Sequence, residues 1–145
     1  MEVQIFGTRK SADTRKALRF FAERRIKTHF VDFAERAASL GELKRFAQKF
    51  GVEALIDRSA PRFAELGLGV TRLSDERWLE RLADEPLLVR APLARCANKL
   101  TIGLAEDTWR EWTALIRKGR AQRAGREVEG ERQGQQIQAG TNKGV

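Results

Sequence analysis

The chain has one cysteine, Cys96, one histidine, His29, and no tyrosine. A single cysteine excludes an intramolecular disulfide, a CxxC redox pair and a multi-cysteine zinc site. A single histidine excludes a His-rich metal site and leaves a Ser-His-Asp arrangement without a spare base. No metal or cofactor is expected from this inventory. No apolar run approaches the ~18 residues of a membrane span. The opening MEVQIFG runs straight into a strand-like segment rather than a basic n-region and a long apolar stretch, so no signal peptide is expected and the cytoplasm is the expected location. At 145 residues the chain fits one domain of ordinary size.

What the chain has is positive charge, +8 overall. Residues 117–145 carry 7 Lys+Arg and 3 Asp+Glu, so half of the net charge lies in a short C-terminal stretch. Basicity favours anionic partners such as nucleic acid, phosphates or acidic protein surfaces. An Arg-rich soluble surface is the plainer reading, because residues 1–116 are only mildly basic.

Val3 to Phe6 is short, apolar and β-prone, and Gly7 ends it. Ser11 stands before a helical stripe of Ala17, Leu18, Phe21 and Ala22 that runs to about Arg25. Lys27 to Phe33 reads as a second strand. A strand, a helix and a strand in so few residues form a βαβ unit with parallel strands. Ser39-Leu40-Gly41-Glu42 is a capping box that opens a helix with Leu43, Phe46, Ala47 and Phe50 on one face, closed by Gly51. Val52 to Ile56 suggests another short helix. Pro61 starts a turn carrying Phe63 and Leu66, stopped by Gly67 and Gly69. Ser74 caps a helix with Trp78, Leu79 and Leu82, which Pro86 ends. Pro92 to Ala94 and Leu100 to Gly103 are β-prone, with a hairpin turn at Ala97-Asn98-Lys99. Asp107 precedes a last helix bearing Trp109, Trp112 and Leu115.

Apolar periodicity is lost after Ile116. The division expected is a folded domain over 1–117 and a basic, Gly/Gln-rich, disordered tail over 118–145. The element order predicts an α/β sandwich with a small, four-stranded mixed sheet.

Four stretches in this order resemble the arsenate reductase (ArsC) / Spx / YffB family. They are Ile5-Phe6-Gly7 through Ser11 to Ala17; Val31-Asp32; Leu55-Ile56-Asp57-Arg58; and Glu85 to Pro92 followed by Leu100-Thr101-Ile102-Gly103. The resemblance implies a thioredoxin-like sandwich with a helical insertion and flanking helices. It also implies a cis peptide at Ala91–Pro92. Two departures stand out. The family's redox cysteine falls at Ser11, and the second cysteine of Spx-type members falls at Thr14. The family's Arg-Pro reads here as Arg90-Ala91-Pro92.

Family arsenate reduction needs a thiolate at the N-terminus of the first helix, where the helix dipole and arginines stabilise negative charge. A serine hydroxyl is poorly acidic, and no histidine stands nearby as a base. Capping the helix is the better reading of Ser11. No catalytic residue is therefore intact. Anion binding is a separate property. Ser11 and Arg15, with Arg58 and Arg90 at positions the resemblance brings to an oxyanion, form a candidate anion site. Arg9 and Lys10 add positive potential to the loop. The plainer reading of each arginine is a solvated or carboxylate-paired surface charge. Cys96 falls in or beside the hairpin turn, as an incidental thiol or an exposed one available for mixed disulfides. Trp109 and Trp112 share a helix face that suits core packing or a partner.

Three functions stay open at this level. The first is an ArsC/Spx-type protein without its redox thiol, a non-catalytic binding or transcription-regulatory module for which the resemblance implies RNA polymerase as a partner. The second is a reductase or glutathione-dependent thiol oxidoreductase that uses another thiol, such as Cys96. The third is weak, non-specific nucleic-acid contact through the tail, which lacks aromatic stacking platforms. The expected state is a monomer.

Overall fold

The computed structural model describes the backbone of residues 2–142 and the side chains of residues 2–125. Strand β1 (Val3–Gly7) leads through a short loop into α1 (Ala12–Glu23) and then β2 (Thr28–Asp32). Helix α2 (Leu40–Phe50), a 3-10 turn (Glu53–Leu55), α3 (Pro61–Glu65), a second 3-10 turn (Leu68–Val70), α4 (Asp75–Asp84) and a third 3-10 turn (Pro86–Leu88) follow. Strands β3 (Leu93–Cys96) and β4 (Lys99–Ile102) form a hairpin before α5 (Glu106–Asn142). The chain divides into two compact units, Met1–Trp109 and Arg110–Val145.

The sheet has four strands in the order β2-β1-β3-β4. β1 pairs parallel with β2 and antiparallel with β3. The mixed sheet expected from the element order is therefore present, and Ala91–Pro92 is cis.

Alternation along the strands distributes side chains to two faces. Phe6, Val31, Leu93 and Leu100 join Leu43, Phe46, Trp78 and Leu82 in one buried cluster, which seats α2 and α4 on that face. On the other face the Trp109 indole N–H donates to Thr101 Oγ1 at 2.9 Å, and its ring lies 5.6 Å from those of Phe20 and Phe21. Trp109 and Trp112 are both fully buried.

Serine caps start the three helices where the sequence places them. The Oγ atoms of Ser11, Ser39 and Ser74 accept from the backbone N–H three residues on, at 3.2, 3.1 and 3.2 Å. The capping box at Ser39 is only half made. The Glu42 carboxylate pairs with Arg95 at 3.0 Å, because a strand cation offers a partner on the face α2 covers. Phe50 and Leu115, assigned to buried faces, are 39% and 41% exposed. Phe50 lies in the last turn of α2, where Lys49 sits over its ring. At the end of the core stripe of α5, Ile116 takes the buried position instead.

The tail also differs from expectation. The backbone of α5 remains helical through Asn142 rather than ending near 118. Ala, Arg, Gln and Glu together make up 15 of residues 118–142 and hold a helix well, against five glycines that weaken it. Near 118 it is burial that changes: Ile116 is the last buried side chain among those described. Residues 143–145 of the expected tail lie outside the described residues.

Candidate functional site

β1 ends at Gly7, and the chain turns through Thr8, Arg9 and Lys10 to cap α1. The Ser11 N–H donates to the Thr8 carbonyl at 3.0 Å, and its own carbonyl accepts from Arg15 N–H at 3.1 Å. Its hydroxyl oxygen is occupied by the Thr14 N–H. The hydroxyl thus serves as a helix cap, and no base is hydrogen-bonded to it. His29 is in the middle of β2, opposite Gln4, with Nε2 3.4 Å from the Arg36 guanidinium.

Ser11 lines a cleft of about 460 Å3. Thr8 and Lys10 of the same loop, Asp57, the Ser59–Arg62 stretch, Glu65, Leu87 and the cis-peptide residue Ala91 are among its other walls. The Asp57 segment is held in place by backbone pairing. Asp57 N–H donates to the Leu88 carbonyl and Arg90 N–H to the Leu55 carbonyl, both at 2.8 Å. Asp57 Oδ1 accepts from the Ser59 hydroxyl at 2.6 Å and the Ser59 N–H at 3.1 Å.

The four residues of the expected anion site fall in three places. Ser11 lines the cleft. Arg15 is exposed and donates to the Arg9 carbonyl at 2.7 Å. Arg9 in turn sits over the Phe30 ring. Arg58 forms a bidentate pair with Glu53 and stacks over Phe63 and Trp78. That pairing raises the Arg58 guanidinium pKa. Arg90 is exposed, and its charge helps Arg58 hold the Glu53 carboxyl below the usual carboxylate range. Arg58 is thus held at Glu53, and none of the three arginines lines the cleft with Ser11.

The cation that does line it with Lys10 is Arg62, which the sequence reading did not single out. Its guanidinium is bidentate to Glu85 at 3.1 and 3.1 Å and reaches Glu65 at 3.3 Å. Those bonds raise its pKa, and they lower that of Glu85. Glu65 is three residues on, a spacing visible in sequence, but Glu85 is not a local partner. Lys10 is the lining cation with no carboxylate partner among the described residues.

Thr14 does not reach the cleft. It is fully buried with an unpartnered Oγ1, packed against the end of β1. Cys96 is also buried, which pushes its thiol pKa up. It pairs with Val3, at the far end of β1 from the Ser11 loop. The four residue-to-residue steps from Val3 to Gly7 put ~13 Å of strand between the two ends.

A model of the ArsC family matches residues 6–112. The chain belongs to the ArsC family. An arsenate reductase of Neisseria meningitidis is 28% identical over 105 residues, 70% of this chain and 90% of that one. The global transcriptional regulator Spx 2 of Oceanobacillus iheyensis is 27% identical over 122 residues, 83% of this chain and 88% of that one. The solved structure of an arsenate reductase from Vibrio cholerae superposes with a TM-score of 0.64 at 27% identity, covering 74% of this chain and 94% of that one. The fold is the ArsC type of thioredoxin-like sandwich. No helix among the described residues is long and apolar enough to cross a membrane.

Proposed function

We propose that this ArsC-family chain is a non-catalytic binding module whose redox thiol has been replaced by Ser11. The observation that carries this reading is the state of Ser11 at the mouth of the cleft. Its oxygen caps α1 through the Thr14 N–H and has no base beside it. Arsenate reduction in the family passes through a thiolate, and a neutral, capping hydroxyl does not supply one. The buried, proton-retaining Cys96 is poorly suited to substitute, because it lies at the opposite end of β1.

The Spx relative carries transcriptional regulation in its name, which supports a regulatory use of the fold, with RNA polymerase as the partner implied by the resemblance. Lys10 and the first-turn N–H groups of α1 other than that of Thr14 support retention of a small oxyanion without turnover.

The test is an arsenate reduction assay of the full chain, with glutathione and glutaredoxin or with thioredoxin as the electron source. The expected result is turnover no higher than that of a heat-inactivated sample. Turnover lost in Cys96→Ser would establish the reductase reading through that thiol. Turnover surviving that change would require a thiol from the co-substrate.

A further inference from the structure

We propose a second ligand site, away from the Ser11 cleft, that takes a phosphate-bearing anion in a pocket between α2 and the β3–β4 turn. The pocket has a volume of about 420 Å3 and is lined by Arg45, Gln48, Lys49, Arg95, Asn98 and Leu100. A volume of that order accommodates a pyrophosphate or a nucleotide rather than a bare monovalent ion. The β3–β4 turn follows Cys96, which pairs with Val3, whereas the Ser11 loop follows Gly7. The two sites therefore sit at opposite ends of β1.

The lining carries three cations, two primary amides and no carboxylate. Arg45 and Lys49 are one helical turn apart on α2, a spacing at which like charges repel and destabilise a helix. Neither is neutralised. Arg45 has no ion pair among the described residues, and Lys49 Nζ reaches the Leu100 carbonyl, at 3.5 Å, and the Phe50 ring but no carboxylate among them. The third cation, Arg95, is held by Glu42 of α2 at 3.0 Å and by Gln4, its cross-strand partner on β1. Its Nε is buried without a partner. Glu42 offsets one charge but does not line the pocket, which leaves about two positive charges facing it.

This donor set suits phosphate. The Arg45 guanidinium, the Lys49 ammonium and the Arg95 N–H groups left over from Glu42 and Gln4 present several donors at once, and a phosphate offers several acceptor oxygens to match them. The amides of Gln48 and Asn98 add neutral donors at the rim. A single carboxylate would leave most of these donors unused. The same chemistry comes from a free polyphosphate or from a nucleic-acid backbone, and the probes separate the two.

The experiment titrates the 15N-labelled full chain with inorganic pyrophosphate and, separately, with a short single-stranded oligonucleotide. The expected result is amide shifts clustered at Arg45, Gln48, Lys49 and Asn98. Affinity should fall at least ~10-fold in Arg45→Gln/Lys49→Gln, with two charge-assisted contacts removed. Both side chains are exposed, and glutamine holds a helix, so the variant should keep the wild-type circular dichroism. Binding of pyrophosphate alone supports a small-anion site, and binding of the oligonucleotide alone supports a backbone site. Shifts confined to Thr8–Thr14 or to residues 117–126 would overturn the proposal. So would unchanged affinity in the double variant, or binding of neither probe at millimolar concentration.

Discussion

Gly7 and Thr14 are in closest approach where β1 hands over to α1. A Cβ added to Gly7 would lie 2.5 Å from Thr14 Oγ1 and 2.8 Å from Cγ2. The absence of a side chain at position 7 allows the first turn of α1 to pack directly on the strand end. That contact fixes where the Ser11 loop sits over the cleft. Gly7→Ala is therefore expected to destabilise the fold by about 1–3 kcal/mol, the usual cost of overpacking a buried contact. Chemical denaturation measures this. Thr14→Ala removes both clashing atoms, so Gly7→Ala/Thr14→Ala should lose less stability than the two single changes summed. Additive losses would mean that the strain at position 7 arises elsewhere.

The loop geometry also bears on what a restored thiol would do. In a Cys96→Ser background, Ser11→Cys leaves one thiol, placed where the Thr14 N–H now donates to oxygen. The N-terminus of α1 and the unpaired Lys10 both favour the thiolate, so the pKa should fall below the free value of ~8.5. The pH dependence of alkylation reads it. Lys10→Ala should move the pKa back up. Arg15→Ala should move it less, because that guanidinium is engaged by the Arg9 carbonyl and does not line the cleft, as Lys10 does. A thiol titrating at or above the free value would remove the oxyanion part of the proposed function and leave the protein-binding part standing.

Local signals in the sequence were enough to place the β1–α1–β2 unit and the caps at Ser11, Ser39 and Ser74. Each of these depends on residues within one turn of one another. The destinations of the charged side chains were not legible, because they are set by tertiary contacts. Glu42 leaves its capping box for Arg95 on another element. Arg62 bonds Glu85 across 23 residues and so reaches the cleft that Arg58 was expected to line. Arg58 is held at Glu53, only five residues away, but across a 3-10 turn whose geometry residue spacing alone does not define. Thr14 matched a redox position by alignment of motif, yet helix phase turns it into the core rather than toward the cleft.

The Glu53–Arg58 pair makes a prediction about acid stability. The hydrogen bond from Arg58 is the main cause that lowers the Glu53 pKa, with the charges of Arg58 and Arg90 helping. A carboxylate with a depressed folded-state pKa contributes stability that is fully present above its unfolded value of ~4.3. That contribution is lost as pH falls through the folded pKa. Wild type should therefore be more stable than Glu53→Gln near neutral pH, and the two should converge as acidification protonates Glu53. The difference is expected to be modest, since the pair is largely exposed and screened by salt. Denaturation midpoints measured from pH 7 down to the acid limb check it. A gap that stayed constant across that range would mean Glu53 acts through packing rather than charge.

Residues beyond 117 should be dispensable for folding of the preceding chain, although α5 runs on to Asn142. The argument rests on burial. Trp112, Thr113 and Ile116 are buried, whereas the side chains of Arg117, Lys118 and Arg120 to Gly125 are exposed. An exposed helical segment contributes little beyond its own hydrogen bonds, and most helix stability in proteins comes from a packed face. Gly119 and Gly125 weaken it further, by about 1 kcal/mol each relative to alanine. The basic Arg117–Arg126 run also spreads like charge along one segment. A truncation after Lys118 should therefore leave the denaturation midpoint of the remaining chain nearly unchanged, and limited proteolysis should cleave first beyond that point. A loss of several kcal/mol on truncation would show instead that the distal part of α5 packs and that the folded unit extends past Ile116.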